Sequence, residues 1–268
     1  MILGKNKRGW RRSVMMKRKK DEEVKEYYKN GKLKKVYSLK GKLANGEVKE
    51  YFQSGELRCM YFVKDEIANG EYREYRKNGK LKETFFYKNG KRDGENRKYR
   101  INGKLKYSCS FKNDKVSGDF IVYFNTGEIK AVVQARYSDA YGKTIEYYKN
   151  GSFRFKLVQK YGKIEGKKID YYSNGNVKRV DWYRDGKRYR SSKTYFKSGE
   201  LKAIIPFKNG KLHGEMKEYY RNGKLGLLMV CKNGKLHGVS KGYSRDGKLG
   251  VVFPLKDDKL QGKIKRYC

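Results

Sequence analysis

A tyrosine recurs every 24 residues along nearly the whole chain, and no other feature limits the possible fold as strongly. A fixed period of roughly 20 to 50 residues indicates a repeat array, in which each unit packs only against its neighbours. A glycine keeps the same step, from Gly31 to Gly247, and no insertion breaks the period. The repeat tyrosines are Tyr27, Tyr51, Tyr75, Tyr99, Tyr123, Tyr147, Tyr171, Tyr195, Tyr219, Tyr243 and Tyr267.

Each unit contains two short runs of aromatic and branched residues with a turn signal between them. In the first unit this signal is Asn30-Gly31, which predicts a two-residue type I′ hairpin turn. The connections between units often carry Asn-Gly or Asp-Gly too, as at Asn89-Gly90. We therefore expect an all-β fold, an elongated repeat array of about ten 24-residue β-hairpins forming one long twisted antiparallel meander sheet. A β-solenoid is the alternative, but type I′ turns reverse the chain at once and favour the meander.

The array is predicted to fill residues 21–268 as a single domain. Residues 1–20 contain many lysines and arginines but no acid, which predicts a basic, disordered N-terminal arm. They lack the apolar segment of a signal peptide. There are two alternatives. The start codon is placed too early and translation begins at Met15 or Met16, or the arm binds nucleic acid or a membrane surface.

The repeat resembles a known family. Residues 214–225 read Gly-Glu-Met-Lys-Glu-Tyr-Tyr-Arg-Asn-Gly-Lys-Leu, and residues 232–238 read Lys-Asn-Gly-Lys-Leu-His-Gly. This pattern resembles the MORN repeat, and more closely the bacterial MORN-variant repeat of proteins labelled YwqK-family antitoxins. The resemblance covers about residues 21–268 and implies a binding scaffold that neutralises a toxin or effector. Some residues depart from the pattern: Arg190 replaces a strand-opening glycine, and Glu66, Asp114, Ser138 and Asp258 replace glycines of the second turn.

Alternation along the strands sorts the side chains onto two faces. With Asn30-Gly31 as the turn centre, Tyr28 pairs with Leu33, and both lie with Tyr37, Leu39 and the acid Glu26 on an apolar face. A single-layer sheet leaves that face short of cover, so a partner or a second copy is expected there. The repeat tyrosines are expected on the other face, opposite a basic row. That row is Lys34, Arg58, Lys82, Lys106, Lys130, Arg154, Lys178 and Lys202.

The net charge of +39 favours association with phosphate polymers, anionic lipids or acidic proteins. A basic residue closes the second strand of every unit, on the predicted tyrosine side. These candidate anion- or nucleic-acid-binding residues are Lys40, Lys64, Lys88, Lys112, Arg136, Lys160, Arg184, Lys208, Lys232 and Lys256. The alternative is that these side chains decorate a solvated face and block edge pairing.

Three central units break the basic pattern. Other units have Lys or Arg two residues before the repeat tyrosine, but these units have isoleucine. Exposed apolar patches tend to be contact sites, so we predict a partner-binding patch here, with local repacking of the sheet as the alternative. The predicted patch residues are Ile121, Tyr123, Ile145, Tyr147, Ile169 and Tyr171.

The sequence contains no recognisable catalytic motif, metal cluster or cofactor-binding loop, and we expect a protein that is not an enzyme. Cys59, Cys109 and Cys231 stand in strand positions, which predicts buried free thiols and a reducing, cytoplasmic compartment. His213 and His237 are expected to be turn residues. The sequence has no apolar run of about 18 residues, so we predict no membrane-spanning helix.

The preferred functional hypothesis is a non-enzymatic repeat scaffold that binds a macromolecular partner, such as an acidic protein, toxin or effector. A binder of nucleic acid or anionic membranes is the first alternative, because of the basic rows. A purely architectural rod is the second, and a homodimer is compatible with the uncovered face.

Overall fold

A computed structural model describes residues 22–135 and 141–267, which form β-strands and no helix, hence none that could span a membrane. The predicted arm at residues 1–20 lies outside the described residues. The strands are β1 (Glu22–Tyr27), β2 (Leu33–Lys40), β3 (Leu43–Tyr51), β4 (Leu57–Lys64), β5 (Ile67–Tyr75), β6 (Leu81–Lys88), β7 (Lys91–Arg92), β8 (Gly94–Tyr99), β9 (Leu105–Lys112), β10 (Lys115–Tyr123), β11 (Ile129–Ala135), β12 (Tyr141–Tyr147), β13 (Phe153–Lys160), β14 (Lys163–Tyr171), β15 (Val177–Arg184), β16 (Lys187–Arg188), β17 (Ser192–Tyr195), β18 (Leu201–Ile205), β19 (Phe207–Lys208), β20 (Lys211–Leu212), β21 (Gly214–Tyr219), β22 (Leu225–Lys232), β23 (Lys235–Leu236), β24 (Gly238–Tyr243), β25 (Leu249–Lys256), β26 (Lys259–Leu260) and β27 (Lys265–Arg266).

These strands confirm the predicted meander. Strand β2 pairs antiparallel with β1 and β3, and the same sequential pairing continues along a 25-stranded sheet. The short strands β19 and β20 pair separately, beyond Pro206, which lacks the backbone N–H that a ladder needs. No pairing between β1 and β27 closes this sheet within the described ranges, so it is an open, elongated array.

The turn inside each unit differs from the prediction. Gly31 N–H donates to Tyr28 C=O (2.9 Å), and Tyr28 N–H donates to Lys32 C=O (2.8 Å). Gly31 has a φ of +80°, whereas Asn30 is not among the residues with positive φ. This is a three-residue loop, a type I turn followed by a glycine bulge, and the predicted two-residue type I′ turn is wrong here.

The turns between units are the type I′ turns. At Asn89-Gly90 both central residues have positive φ, +50° and +77°, and Lys88 pairs directly with Lys91. Asp65-Glu66 adopts the same geometry without glycine, with φ of +50° and +70°. The substitution of second-turn glycines by acids in the described units therefore leaves the turn intact.

A bulge after the first turn changes which side chains share a face. Tyr27 pairs with Leu33 and Glu26 pairs with Lys35, so Lys34 is the extra residue. Leu33 and its equivalents therefore lie beside the repeat tyrosines, and Lys34 and its equivalents lie with the acids. Both are corrections to the predicted faces. From Lys35 onward the predicted alternation holds, because the bulge restores the pairing that a two-residue turn would have produced.

Most of the buried side chains lie on one face of the sheet, the acid face, which carries Glu26, Glu50 and their equivalents; Ser108 is buried on the opposite face. Val48 is 2% exposed, and the thiols of Cys59, Cys109 and Cys231 are buried and free, as predicted. The opposite face, the tyrosine face, carries the repeat tyrosines. Burial on a single layer requires crowding by neighbouring side chains on the same face.

Arg190, in place of a strand-opening glycine, interrupts the ladder locally. Strand β16 ends at Arg188 and β17 begins at Ser192, whereas Gly214 opens β21 directly after the single residue His213. Gly214 has a φ of +111°, a conformation that an L side chain rarely adopts. The array continues through the gap, because Arg179 and Val180 of β15 pair with Thr194 and Lys193.

Candidate functional site

The predicted central patch lies on the tyrosine face as one continuous row. Ile121 and Ile145 both pair with Val132, which lies between them. Lys156 pairs with Ile145 on one side and Ile169 on the other. Ile169 in turn pairs with Val180. The structure thus brings the three isoleucines together, with a lysine between two of them.

Three aromatic rings run beside this row. The rings of Tyr147 and Phe153 have centroids 5.4 Å apart, and those of Phe153 and Tyr171 are 5.8 Å apart. Phe153 is 37% exposed and occupies the position of Leu33, which the bulge has moved to this face. The central patch therefore consists of these rings and the row of isoleucines.

Lys156 is a cation within this apolar surface. Its Nζ lies 3.1 Å from the ring centroid of Phe153 and 5.6 Å from that of Tyr171. Burial, and next the positive charge of Lys143, lower the pKa of the Lys156 ammonium. No ion pair within residues 22–135 and 141–267 includes Lys156. An ammonium that burial disfavours and no carboxylate compensates is suited to an anionic ligand group.

The charge pattern of the central units also differs from that of the flanking units. In five flanking units, an acid four residues before the repeat tyrosine forms an ion pair on the tyrosine face with a base two residues before that tyrosine. Such pairs are Glu23–Lys25 (3.5 Å), Glu47–Lys49 (2.6 Å), Glu71–Arg73 (2.7 Å), Glu95–Arg97 (2.7 Å) and Glu215–Lys217 (3.2 Å). In the units of Ile145 and Ile169 the acid is replaced by Lys143 and Lys167. The central patch is therefore an apolar surface bordered by lysines.

The acid face has a different character, since its charges pair internally. The carboxylate of Glu50 pairs with Arg58, and that of Glu74 pairs with Lys82 (2.6 Å). Burial disfavours ionisation of Glu50, but hydrogen bonds from Arg58 and Tyr61 outweigh it, and the pKa of the carboxyl is lowered. Four members of the basic row that begins at Lys34 thus pair with acids of the same face: Lys34, Arg58, Lys82 and Arg154.

Cavities line this face near its C-terminal half. One of them has a volume of about 880 Å³ and lies where Gly226 replaces the basic residue of the row. Its wall includes Phe196, Lys202, Glu218 and Tyr220. The Tyr220 ring approaches the Gly226 backbone so closely that an added Cβ would lie 3.0 Å from it.

The predicted edge row, from Lys40 to Lys256, runs along the turns between units. The structure adds a second basic row directly opposite, which the sequence analysis missed. Cross-turn pairs of like charge are Lys88–Lys91, Lys112–Lys115, Lys160–Lys163, Arg184–Lys187, Lys208–Lys211, Lys232–Lys235 and Lys256–Lys259. Lys40 and Lys64 face Leu43 and Ile67 instead, and Arg136 lies outside the described residues. Like charges directly opposite each other destabilise a sheet.

Two features were not predicted, Lys156 in the central patch and the second basic row, although both are visible as patterns in the sequence. Lys156 is the charged member of a column that otherwise holds Val36, Met60, Thr84, Ser108, Val132, Val180, Ile204, Leu228 and Val252. The second basic row stands three residues after the first, as at Lys88 and Lys91. Lysines are common throughout so basic a chain, and the strand register was needed to show that the two rows lie directly opposite each other.

The two histidines occupy equivalent positions one unit apart, but the predicted turn location is wrong: each is a single residue between two strands, His213 between β20 and β21 and His237 between β23 and β24. His213 Nδ1 accepts a hydrogen bond from the Asn233 N–H (3.5 Å). His237 Nδ1 lies 3.5 Å from the Asp257 carboxylate. Each histidine therefore contacts the following turn.

Solved structures with similar regions include the crystal structures of TcdB2-TccC3-TEV and of TcdB2-TccC3 without its hypervariable C-terminal region. Identities are 11% and 9%, over 88% and 87% of this chain, with a TM-score of 0.21 for both. A third is a mutant Tc holotoxin pore of Photorhabdus luminescens, 11% identical over 88% of this chain with a TM-score of 0.21. This chain spans 17%, 15% and 17% of their respective lengths. At such TM-scores these likenesses carry no functional argument.

No curated protein matches the chain significantly. A sequence model described as "MORN repeat variant" matches residues 23–40, 68–89, 92–113, 191–209 and 212–225. The matches lie on both sides of the central patch, whose units depart from the common charge pattern. These five segments are therefore similar to the MORN repeat variant.

Proposed function

We propose that the protein is a non-enzymatic repeat scaffold that binds a protein partner through the central patch of the tyrosine face. The patch supports this proposal because it is where the recurring acid–base pairs give way to isoleucines, aromatic rings and lysines. Apolar centres with rings are typical of interface hot spots. A partner segment with apolar side chains and a carboxylate would cover the isoleucines and compensate Lys156.

The resemblance to antitoxin-type proteins suggests one kind of partner, an acidic toxin or effector that the scaffold neutralises by covering its functional surface. Strong positive charge would accelerate association with such a partner and make the rate depend on salt. Binding in a reducing, cytoplasmic compartment would suit a chain with free thiols.

The double substitution Ile145→Lys and Ile169→Lys tests the proposal, because it restores residues that other units use at the same position. Tagged wild-type and variant chains, expressed in the source cells, are compared by recovery of stoichiometric proteins. The matched control is Phe86→Lys, an exposed aromatic residue elsewhere on the sheet (41% exposed). We expect wild type and control to recover an acidic protein that can be cross-linked to Lys143, Lys156 or Lys167. Recovery of this protein should fall at least tenfold with the double variant. Equal recovery with the double variant contradicts the central patch as the binding surface, and the absence of any stoichiometric protein contradicts the proposal as a whole.

The opposed basic rows favour a second candidate function, the binding of a phosphate polymer along the turns between units. Repulsion between directly opposed cations is relieved when a polyanion lies over them. Titration of single-stranded and duplex nucleic acid and of anionic vesicles against salt tests this function. Steep salt dependence supports it, and absence of binding at low salt contradicts it.

A further inference from the structure

One turn between units contains a residue that the turn itself does not favour. Tyr161 occupies the first central position of the type I′ turn, with a φ of +46°. Other described units place small or short polar residues there: Gly41, Asp65, Asn89, Asn113, Asp185, Asn209, Asn233 and Asp257. Asn and Asp tolerate this left-handed conformation, whereas for a bulky side chain it is an outlier. A strained residue that the fold does not need points to another use of the side chain.

The ring of Tyr161 projects into solvent. It is 71% exposed, and the ring of Tyr141, on the neighbouring strand, is 50% exposed. Lys160 Nζ lies 5.7 Å from the Tyr161 centroid and 5.2 Å from the Tyr141 centroid. Tyr141 pairs directly with Lys160, which pairs in turn with Lys163. Lys160 of the edge row thus lies beside two exposed tyrosines and pairs with Lys163 of the second row.

A shallow cavity of 310 Å³ adjoins this turn. Its wall consists of Lys160, Tyr161, Lys163, Glu165, Arg184 and Asp185. One Glu165 oxygen accepts a hydrogen bond from the backbone N–H of Asp185 (2.9 Å), so this carboxylate is engaged within the sheet. The cations of the wall, Lys160, Lys163 and Arg184, lie beside the exposed Tyr161 ring, and all belong to the turn that contains Tyr161 or to the next one.

Exposed rings beside a cationic track are the chemistry that holds unpaired nucleic-acid strands. Phosphates neutralise the lysines, and free bases stack on aromatic side chains, whereas the bases of a duplex are already stacked on each other. We propose that the turn of Tyr161 is a base-stacking site for single-stranded nucleic acid on the basic edge. The proposal rests on the second candidate function, and it adds a preference for single strands that lysines alone do not provide.

The test substitution is Tyr161→Asn, which installs the residue found in the equivalent turns at Asn89, Asn209 and Asn233. The full-length chain is titrated with a fluorescent oligonucleotide of about 15 nucleotides and with the duplex of the same sequence, at low salt. We expect about a tenfold loss of single-strand affinity in the Asn variant, and unchanged duplex affinity. Tyr161→Phe, which keeps the ring, should retain wild-type affinity.

Thermal unfolding separates binding from a structural role. Asn suits the turn, so the melting temperature of Tyr161→Asn should equal or exceed that of the wild type; a clear decrease assigns Tyr161 to the fold and overturns the proposal. If wild type binds both nucleic-acid forms and Tyr161→Asn changes neither, the stacking site is refuted while the basic edge stands. If wild type binds neither form at low salt, both fail, and capture of an acidic protein that depends on Tyr161 would identify a protein contact instead.

Discussion

The opposed basic rows should make the protein less stable at low salt, and reversing one charge in four of the seven opposed pairs should relieve this. The perturbation is a fourfold variant with Lys91→Glu, Lys187→Glu, Lys211→Glu and Lys235→Glu. Each substituted residue lies directly opposite a cation of the edge row and is exposed. Like charges opposite each other destabilise a sheet, and opposite charges stabilise it, by roughly 0.2–1 kcal/mol. Because exposed pairs lie toward the lower end, each conversion should contribute about 0.5 kcal/mol, or ~2 kcal/mol in total.

The assay is urea unfolding followed by circular dichroism at about 10 mM and about 1 M NaCl, where the screening lengths are roughly 30 Å and 3 Å. Wild type should gain stability with salt, and the variant should be more stable at low salt and less salt-dependent. The control replaces four exposed first-turn lysines, Lys29, Lys77, Lys149 and Lys197, by Glu, which changes the net charge equally. If the control gains as much as the variant, overall charge and not the opposed pairs is responsible. If wild type shows no salt stabilisation, the reasoning about the rows is wrong.

Three further outcomes are expected. Gly103→Ala should cost about 1 kcal/mol in urea unfolding, because its φ is +84° with open space around it; Gly238→Ala should cost more, because its φ is +128° and the new Cβ would lie 2.9 Å from Val230. Lys156→Met should raise the melting temperature, because it removes an ammonium whose pKa burial has lowered, and should abolish recovery of an acidic partner. In a Cys268→Ser background, thiol reagents near pH 8 should react slowly with the native protein and quickly in urea, because burial raises the pKa of the remaining thiols, Cys59, Cys109 and Cys231; fast native labelling would contradict their burial.

The period and the meander could be predicted from the sequence, but the geometry of the first turn could not. Asn30-Gly31 and Asn89-Gly90 are the same dipeptide, yet the first forms a type I turn with a glycine bulge and the second a type I′ turn. Asn tolerates both backbone conformations, so the choice depends on pairing with the next strand, which is not a local property. The consequence was confined to Leu33, Lys34 and their equivalents, since the bulge restores the register at Lys35.

The candidate patch shows the same division between local and non-local information. The isoleucines and repeat tyrosines were placed correctly on one face, because they lie on the strand that precedes the bulge. Lys156 and Phe153 lie on the partner strand and enter the patch only through cross-strand pairing. The pattern of a single strand therefore identified the units in which the repeat changes. Predicting that Lys156 lies among the isoleucines required the pairing register of two strands.

Departures from the repeat on the two faces have different consequences. On the acid face, Asp181 takes a position where Tyr37, Tyr61 and Phe85 stand in other units, and it is 1% exposed. Cations and a hydroxyl compensate its charge: Arg179 Nε lies 2.9 Å and Arg188 Nε 3.2 Å from its carboxylate, and the Ser192 hydroxyl donates to Oδ1. A buried charge needs such partners to be tolerated.

On the tyrosine face, Lys156 also replaces an apolar residue, but it meets isoleucines and rings and, among the described residues, no carboxylate. Tyr161 likewise keeps a strained backbone with its ring in solvent. Local rules are broken without compensation mainly where function requires it, since stability alone would remove such residues. The departure at Asp181, which opposite charges compensate, therefore belongs to the scaffold. Lys156, whose ammonium meets aromatic rings but no carboxylate among the described residues, and Tyr161 are where ligands are expected to bind.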